Sequence, residues 1–352
     1  MSSEEFPSAR PEADEPRCGQ GKIQQNFMLD REIFQQKNIC DRIIKLPPSP
    51  QLSSFFLLCD KIVIMPDKYS AVWVSHSSMG DFLKCPRLYY LHNVYKNPKT
   101  GKKINLVAPP LSLGSAVHEV VEGLAEFSAE TRFEKPEELL QRFEKAWEKF
   151  KGKKGGFKSE EEEAQAKARG IEMIKRVIEN PGILKEKIIK LKEGANGMLP
   201  NFYLSEKDNI ILCGRIDWLQ YKEEDDSIHI LDFKTGKHEE SGESLQLPIY
   251  QLLLNNLQKR KVSGASYWYL DVDDNPKEVS LPKLEESFDK VYKTAKAVSD
   301  ARTLALRVGA EKVFKCPRGE EGCFGCIPFE KIIRGEAEFL GEGEWGQEMY
   351  LV

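Results

Sequence analysis

A mixed α/β fold, with a central sheet flanked by helices and a cysteine cluster near its C-terminal end, is what this chain predicts, and three observations carry that prediction. Short apolar and β-branched runs fill residues 202 to 281, with helical patterns before, among and after them. Two of those runs each deliver a carboxylate: Asp217 in Gly214-Arg215-Ile216-Asp217, and Asp232 in Ile230-Leu231-Asp232-Phe233-Lys234. Three of the eight cysteines crowd together as Cys316-x6-Cys323-x2-Cys326.

The elements follow in order. Residues 1–70 read as an extension: a Glu-, Pro- and Ser-rich start expected to be partly disordered, a short helical stretch from Gln25 to Ile44, then a break at Pro47-Pro48-Ser49-Pro50. Residues 71–335 read as the main domain and 336–352 as a tail. Ser75 to Ser78 caps a helix from Met79 to His92, in which Pro86 predicts a kink. Asn97 to Pro110 reads as a loop, Leu113 to Phe127 as a second helix, and Pro136 to Phe150 and Glu160 to Glu179 as charged amphipathic helices joined by a Gly/Lys loop. Phe202 to Ser205, Ile210 to Gln220 and Ser227 to Phe233 are expected to form an antiparallel meander. Glu243 to Leu257 is a helix, Gly264 to Val272 and Glu278 to Leu281 are strands, and Lys283 to Leu306 is a long helix.

Composition narrows the function. The 352 residues suffice for one large domain or two ordinary ones, and 40% are apolar. A net charge of −4 argues against a globally basic nucleic-acid binder but leaves room for a local basic groove. Residues 82–118 are such a place: five Lys and one Arg (Lys84, Arg87, Lys96, Lys99, Lys102, Lys103), no Asp or Glu, and the aromatics Phe82, Tyr89, Tyr90 and Tyr95. Interleaved cations and rings suit a nucleic-acid backbone and its bases, single-stranded DNA included; a solvated helix face and loop has the same composition. The N-terminus is polar and acidic, and the run Phe55 to Met65 is broken by Asp60-Lys61. A cytoplasmic, reducing location without a membrane partner is therefore expected, where cysteines are free thiols or metal ligands.

The carboxylates carry the chemistry. A strand alternates faces, so Asp232 and Lys234 point the same way. If the run carrying Asp217 pairs beside them, two hard oxygen ligands for Mg²⁺ or Mn²⁺ meet a cation in one cleft, the parts phosphodiester hydrolysis needs. His118, in Gly114-Ser115-Ala116-Val117-His118, is positioned early on a helix and offers a further ligand, although a lone histidine is more often packing. Gln246 and Tyr250 stand at i and i+4 on the next helix, where Gln can orient water or phosphate and Tyr can touch substrate. Thr235-Gly236-Lys237 is the turn that exposes the strand tip. Cys213 reads as packing, and Cys18, Cys40 and Cys59 have no ligand spacing.

Together these residues resemble the RecB-family branch of the PD-(D/E)XK nuclease superfamily, over about Ser75 to Phe329. The resemblance implies a restriction-endonuclease-like fold. His118, Asp217 and Asp232 become metal ligands, and Lys234, Asp232, Asp217, Gln246 and Tyr250 the catalytic set. For the glutamate that the family often carries ahead of its first aspartate, Glu206 and Glu193 are alternatives. Cys85 with Cys316, Cys323 and Cys326 is similar to the iron–sulfur staple of AddB-type and CRISPR-associated relatives, which implies a structural [4Fe–4S] cluster. The spacing departs from theirs, because Cys316 precedes the Cys-x2-Cys pair instead of following it, and this leaves Zn²⁺ as the alternative. The implied activity is a Mg²⁺/Mn²⁺-dependent deoxyribonuclease in recombination, repair or CRISPR-related processing, beside a separate helicase, since this chain has no Gly-x4-Gly-Lys-[Ser/Thr] loop. The rival readings are a non-catalytic nucleic-acid-binding module on the same fold, and a zinc-stapled adaptor.

Overall fold

The computed structural model describes residues 67–194 and 197–352. The expected helix at Gln25 to Ile44, its proline break and Cys18, Cys40 and Cys59 lie outside the described residues. Strand β1 (Val72–Val74) leads into helix α1 (His76–Lys84), started by a capping box in which Ser75 and Ser78 satisfy each other's amides. The chain breaks at Cys85, which is extended, and Pro86 opens the one-turn helix α2 (Pro86–Tyr89), followed by a π turn. This is the kink that Pro86 predicted. The segment expected to be a plain loop contains β2 (Ile104–Leu106).

Helices α3 (Pro109–Gly123), α4 (Glu137–Trp147) and α5 (Glu160–Glu179) follow. Ser159 caps α5, and four glutamates in its first turn match the positive end of the helix dipole. The expected meander is instead shared between two sheets. β3 (Asn201–Ser205) and β4 (Ile210–Cys213) pair antiparallel, with β1 parallel to β4 on the far side. The single strand expected from Ile210 to Gln220 breaks between Gly214 and Asp217, and β5 (Trp218–Lys222) begins a different sheet with β6 (Ser227–Lys234). Helix α6 (Gln246–Leu257) then crosses to β7 (Lys261–Tyr269), which runs parallel to β6, and β8 (Lys277–Val279) closes the order β5-β6-β7-β8. Helix α7 (Leu284–Val308) and the short α8 (Ala310–Val313) and α9 (Ile327–Ile333) follow. The last residues, read as a tail, form a hairpin, β9 (Glu338–Glu342) and β10 (Glu348–Leu351), with β10 parallel to β2. That partner is why β2 is a strand: three residues with weak pattern become one when another strand supplies the ladder.

β6 is buried along almost its whole length because helices cover both of its faces. Ile228 and Ile230 belong to the core formed with α6 and α7, whereas Leu231 and Phe233 belong to the core formed with α3, α4 and α5. Arg132 braces the second core. It is 4% exposed, donates to the carbonyls of Leu124, Phe127, Leu184 and Glu186, and lies over the Trp218 ring at 4.8 Å. It has no carboxylate among those contacts; four carbonyl dipoles replace its lost hydration. A third core of Leu88, Leu91, Ile104, Phe329 and Ile332 surrounds Cys85 and Cys326.

Candidate metal and catalytic centre

Strand register assembles the acidic centre. Trp218 pairs with Leu231 in the antiparallel β5–β6 ladder, so Asp217, one residue before β5, comes opposite Asp232. The Phe233 amide donates to Asp217 Oδ2 at 3.0 Å. Helix α3 brings His118 from the other side, and its imidazole meets Phe233 edge-on at 6.3 Å between centroids. Gly114 packs closely on the turn after β6, where a Cβ would stand 3.2 Å from Thr235 Oγ1. One helical turn later the histidine reaches the strand tips.

His118 Nδ1 is 2.9 Å from Glu122 Oε1 and 3.6 Å from Asp217 Oδ2, and the ligand atoms of His118, Glu122 and Asp217 all lie within 4.8 Å of one another. Glu122 is one helical turn after His118, at i+4, and sequence reasoning missed it. Its signal was the His-x3-Glu spacing on a helix. The two glutamates weighed for an extra ligand are both exposed, and Glu206 sits in the β3–β4 turn. Glu193 lines the same 220 Å³ groove as Glu122, Arg215 and Asp217, outside the close group. Burial, then the charge of Asp232, pushes the Asp217 carboxyl up to about 7. Burial works against the His118 imidazolium, but the Glu122 hydrogen bond and Asp217 outweigh it and raise its pKa.

Asp232 is 1% exposed. Its Oδ1 accepts from Gln246 Nε2 at 2.7 Å and from Tyr250 OH at 2.8 Å. Its Oδ2 is 2.7 Å from Lys234 Nζ, a buried ion pair without hydrogen-bond geometry. Lys234 Nζ also donates to Gln246 Oε1, lies 3.5 Å from Glu240 and sits over the Tyr267 ring at 5.1 Å. Burial opposes its charge, but Asp232 outweighs it and raises the lysine's pKa. Tyr250, expected to touch substrate, is 5% exposed with its hydroxyl committed to Asp232, and burial raises its pKa well above the ordinary value. Gln246 and Tyr250 thus orient Asp232 and Lys234.

This donor set fits a divalent cation of the Mg²⁺/Mn²⁺ kind: the ligand atoms of two carboxylates and an imidazole converge, with a third carboxylate, Asp232, beside them. Asp232 stands outside the tightest group because Lys234, Gln246 and Tyr250 hold it.

The four cysteines expected to converge do so. The Sγ atoms of Cys85, Cys316, Cys323 and Cys326 lie within 4.8 Å of one another. Burial pushes the Cys85 thiol up to about 12 and Cys326 up to about 11. At Cys323 burial is outweighed by backbone hydrogen bonds from Cys326 and Gly325, and the thiol falls to about 7. Cys213 lies apart; its thiol donates to the Val74 carbonyl at 3.5 Å, which is a packing role.

The expected DNA-facing cations divide. Lys84, Lys96, Lys99 and Lys103 are exposed. Desolvation, followed by the like charges of Lys96 and Arg302, lowers the pKa of Lys103. Arg87 instead donates to Glu311 and Glu330, and Lys102 pairs with Glu342. Among the described residues no helix is long and apolar enough to cross a membrane.

Comparison with known proteins agrees with this geometry. The family model of the PD-(D/E)XK nuclease superfamily matches residues 73–328, a span that contains every residue of the acidic centre and all four clustered cysteines. No curated protein matches the chain.

Proposed function

This chain belongs to the PD-(D/E)XK nuclease superfamily, and on that premise we propose that it is a Mg²⁺- or Mn²⁺-dependent deoxyribonuclease of the RecB type, working in recombination, repair or CRISPR-related DNA processing. The observation that supports this most is the convergence of His118, Glu122 and Asp217 within 4.8 Å beside the Asp232–Lys234 pair. Hydrolysis consumes one water and breaks one P–O bond, and it must neutralise charge that builds on the phosphoryl oxygens. A divalent ion bound by His118, Glu122, Asp217 and Asp232 would supply Lewis acidity and an acidified water.

The chain's own residues do the rest. Lys234 presents an ammonium to the attacking water and to the developing charge. Asp232 holds that ammonium, and Gln246 and Tyr250 hold Asp232. Arg215, exposed at the groove mouth and 4.0 Å from Glu122, is placed to take a phosphate. Lys96, Lys103 and Arg302 guide the DNA backbone, and a separate helicase feeds the strand. The cysteine site is a structural metal–thiolate staple that ties the segment after α8 to the junction of α1 and α2.

The test is cleavage of end-labelled single- and double-stranded DNA with Mn²⁺ or Mg²⁺, with wild type beside Lys234→Ala and folding checked by circular dichroism. Metal-dependent cleavage lost in the variant is the expected result. A folded, staple-loaded wild type without cleavage, with and without a helicase, would favour the non-catalytic DNA-binding module.

A further inference from the structure

We infer that the four-cysteine site holds a single tetrahedral ion of the zinc type, in place of the four-iron cluster that the resemblance to AddB-type nucleases implies. The inference does not depend on the nuclease activity. It starts from sulfur spacing. A zinc–thiolate bond of about 2.3 Å gives a tetrahedron whose sulfur–sulfur edges are about 3.8 Å. All four sulfurs here lie within 4.8 Å of one another, and Cys323 and Cys326 are 3.6 Å apart. In a cubane each thiolate stands one bond outside its own iron, and bridging sulfides hold the irons apart, so the sulfur edges widen to roughly 6 Å.

Two of the sulfurs sit in a packed frame, while Cys316 and Cys323 are half-buried beside it. Cys85 and Cys326 are fully buried, and Leu88, Leu91, Ile104, Phe329 and Ile332 pack around them. The loop between Cys316 and Cys326 runs close against the sulfurs through glycines. A Cβ at Gly322 would lie 3.4 Å from Cys326 Sγ, and one at Gly325 would lie 2.9 Å from Leu88 Cδ2 and 3.9 Å from Cys323 Sγ. The Leu88 amide donates to Cys85 Sγ at 3.4 Å and the Cys323 amide to Cys326 Sγ at 3.2 Å, fixing one sulfur on each side of the site. Arg87, two residues after Cys85, binds Glu330, four residues after Cys326, and clamps the two sides together. Thiolates alone do not choose between zinc and iron, because both metals accept four of them. Here the spacing of the sulfurs favours the single ion. An ion of this kind is redox-inert, so the site fastens the chain without electron transfer at the metal.

The experiment uses the full chain, expressed with both iron and zinc supplied and purified without air. Metal is counted by mass spectrometry, acid-labile sulfide by chemical assay, and the zinc released on blocking thiols with a mercurial is counted separately from any at the carboxylate group. The expected result is one thiol-released zinc per chain, no sulfide and no broad visible absorbance. Replacement by Co²⁺ should then give the intense bands of a tetrahedral thiolate site. Iron and sulfide at four per chain would overturn the inference, and so would a folded chain holding no thiol-bound metal. Cys323→Ser should lose the thiol-released zinc while Cys213→Ser keeps it; one zinc retained in Cys323→Ser would also overturn it. Should Cys323→Ser not fold, chelator titration of wild type decides, since zinc loss and loss of near-ultraviolet dichroism must coincide.

Discussion

The two groups of this molecule that could hold a metal ion differ in how their side chains are held. In the acidic centre the ligands have protein partners: His118 meets Glu122, Asp217 takes the Phe233 amide, and Asp232 takes Gln246, Tyr250 and the charge of Lys234. In the cysteine site four sulfurs face one another, with weak N–H···S contacts and one S–H···O contact beyond them. The first group is held by sheet register and two helices, so a cation completes its charge balance without being needed for its shape. The second joins positions far apart in sequence, and an ion held there would tie a long loop that the unfolded chain must otherwise close. Hard-ligand chemistry and soft-ligand architecture are thus separable, and substitutions should separate them.

The largest effect expected is on catalysis. Lys234→Ala should lower single-turnover cleavage by about 10³-fold or more while DNA binding persists, because Asp232 keeps its two hydrogen-bond donors. Activity within tenfold of wild type would break the assignment of the acidic centre. Next is stability: Cys326→Ser, or removal of the thiol-bound ion, should cost about 4 kcal/mol or more in denaturant unfolding. Cleavage per folded molecule should change far less. If the variant unfolds like wild type, the cysteine site is no staple.

Third, Glu122→Gln should weaken Mn²⁺ binding at the acidic centre by about 10- to 100-fold in calorimetry and leave the melting temperature nearly unchanged. An unaltered affinity would remove Glu122 from the ligand set. The smallest effects distinguish the cations. Arg87→Ala should cost about 1 kcal/mol of stability, through its contacts with Glu311 and Glu330, with the salt dependence of DNA binding unchanged. Lys96→Ala and Lys103→Ala should each lower the slope of log affinity against log salt by about 1. A shallower slope for Arg87→Ala would show that its guanidinium reaches the nucleic acid after all.

Much of this was legible along the chain. Strand alternation places Asp232 and Lys234 on one face, helical spacing pairs Gln246 with Tyr250, and Pro86 marks the break beside Cys85. These are local regularities, carried by periods of 2 and 3.6 residues. Glu122 escaped notice because a glutamate on a helix is commonplace until the strand it faces is known. Arg87 and Lys102 were grouped with free cations because their carboxylate partners lie more than two hundred residues downstream. β2 escaped for the same reason, since its ladder partner is the C-terminal hairpin.

The sequence by itself determined the α/β class, the carboxylate–lysine set and the four-cysteine set, because residue chemistry and short-range geometry suffice for those. Tertiary structure alone decided the split of one apparent strand between two sheets and the entry of Glu122 into the acidic group. It also decided the change of Tyr250 from substrate contact to support, and the width of the sulfur cage. Each of these depends on distances between segments remote in sequence, and such distances are set by packing across the whole core.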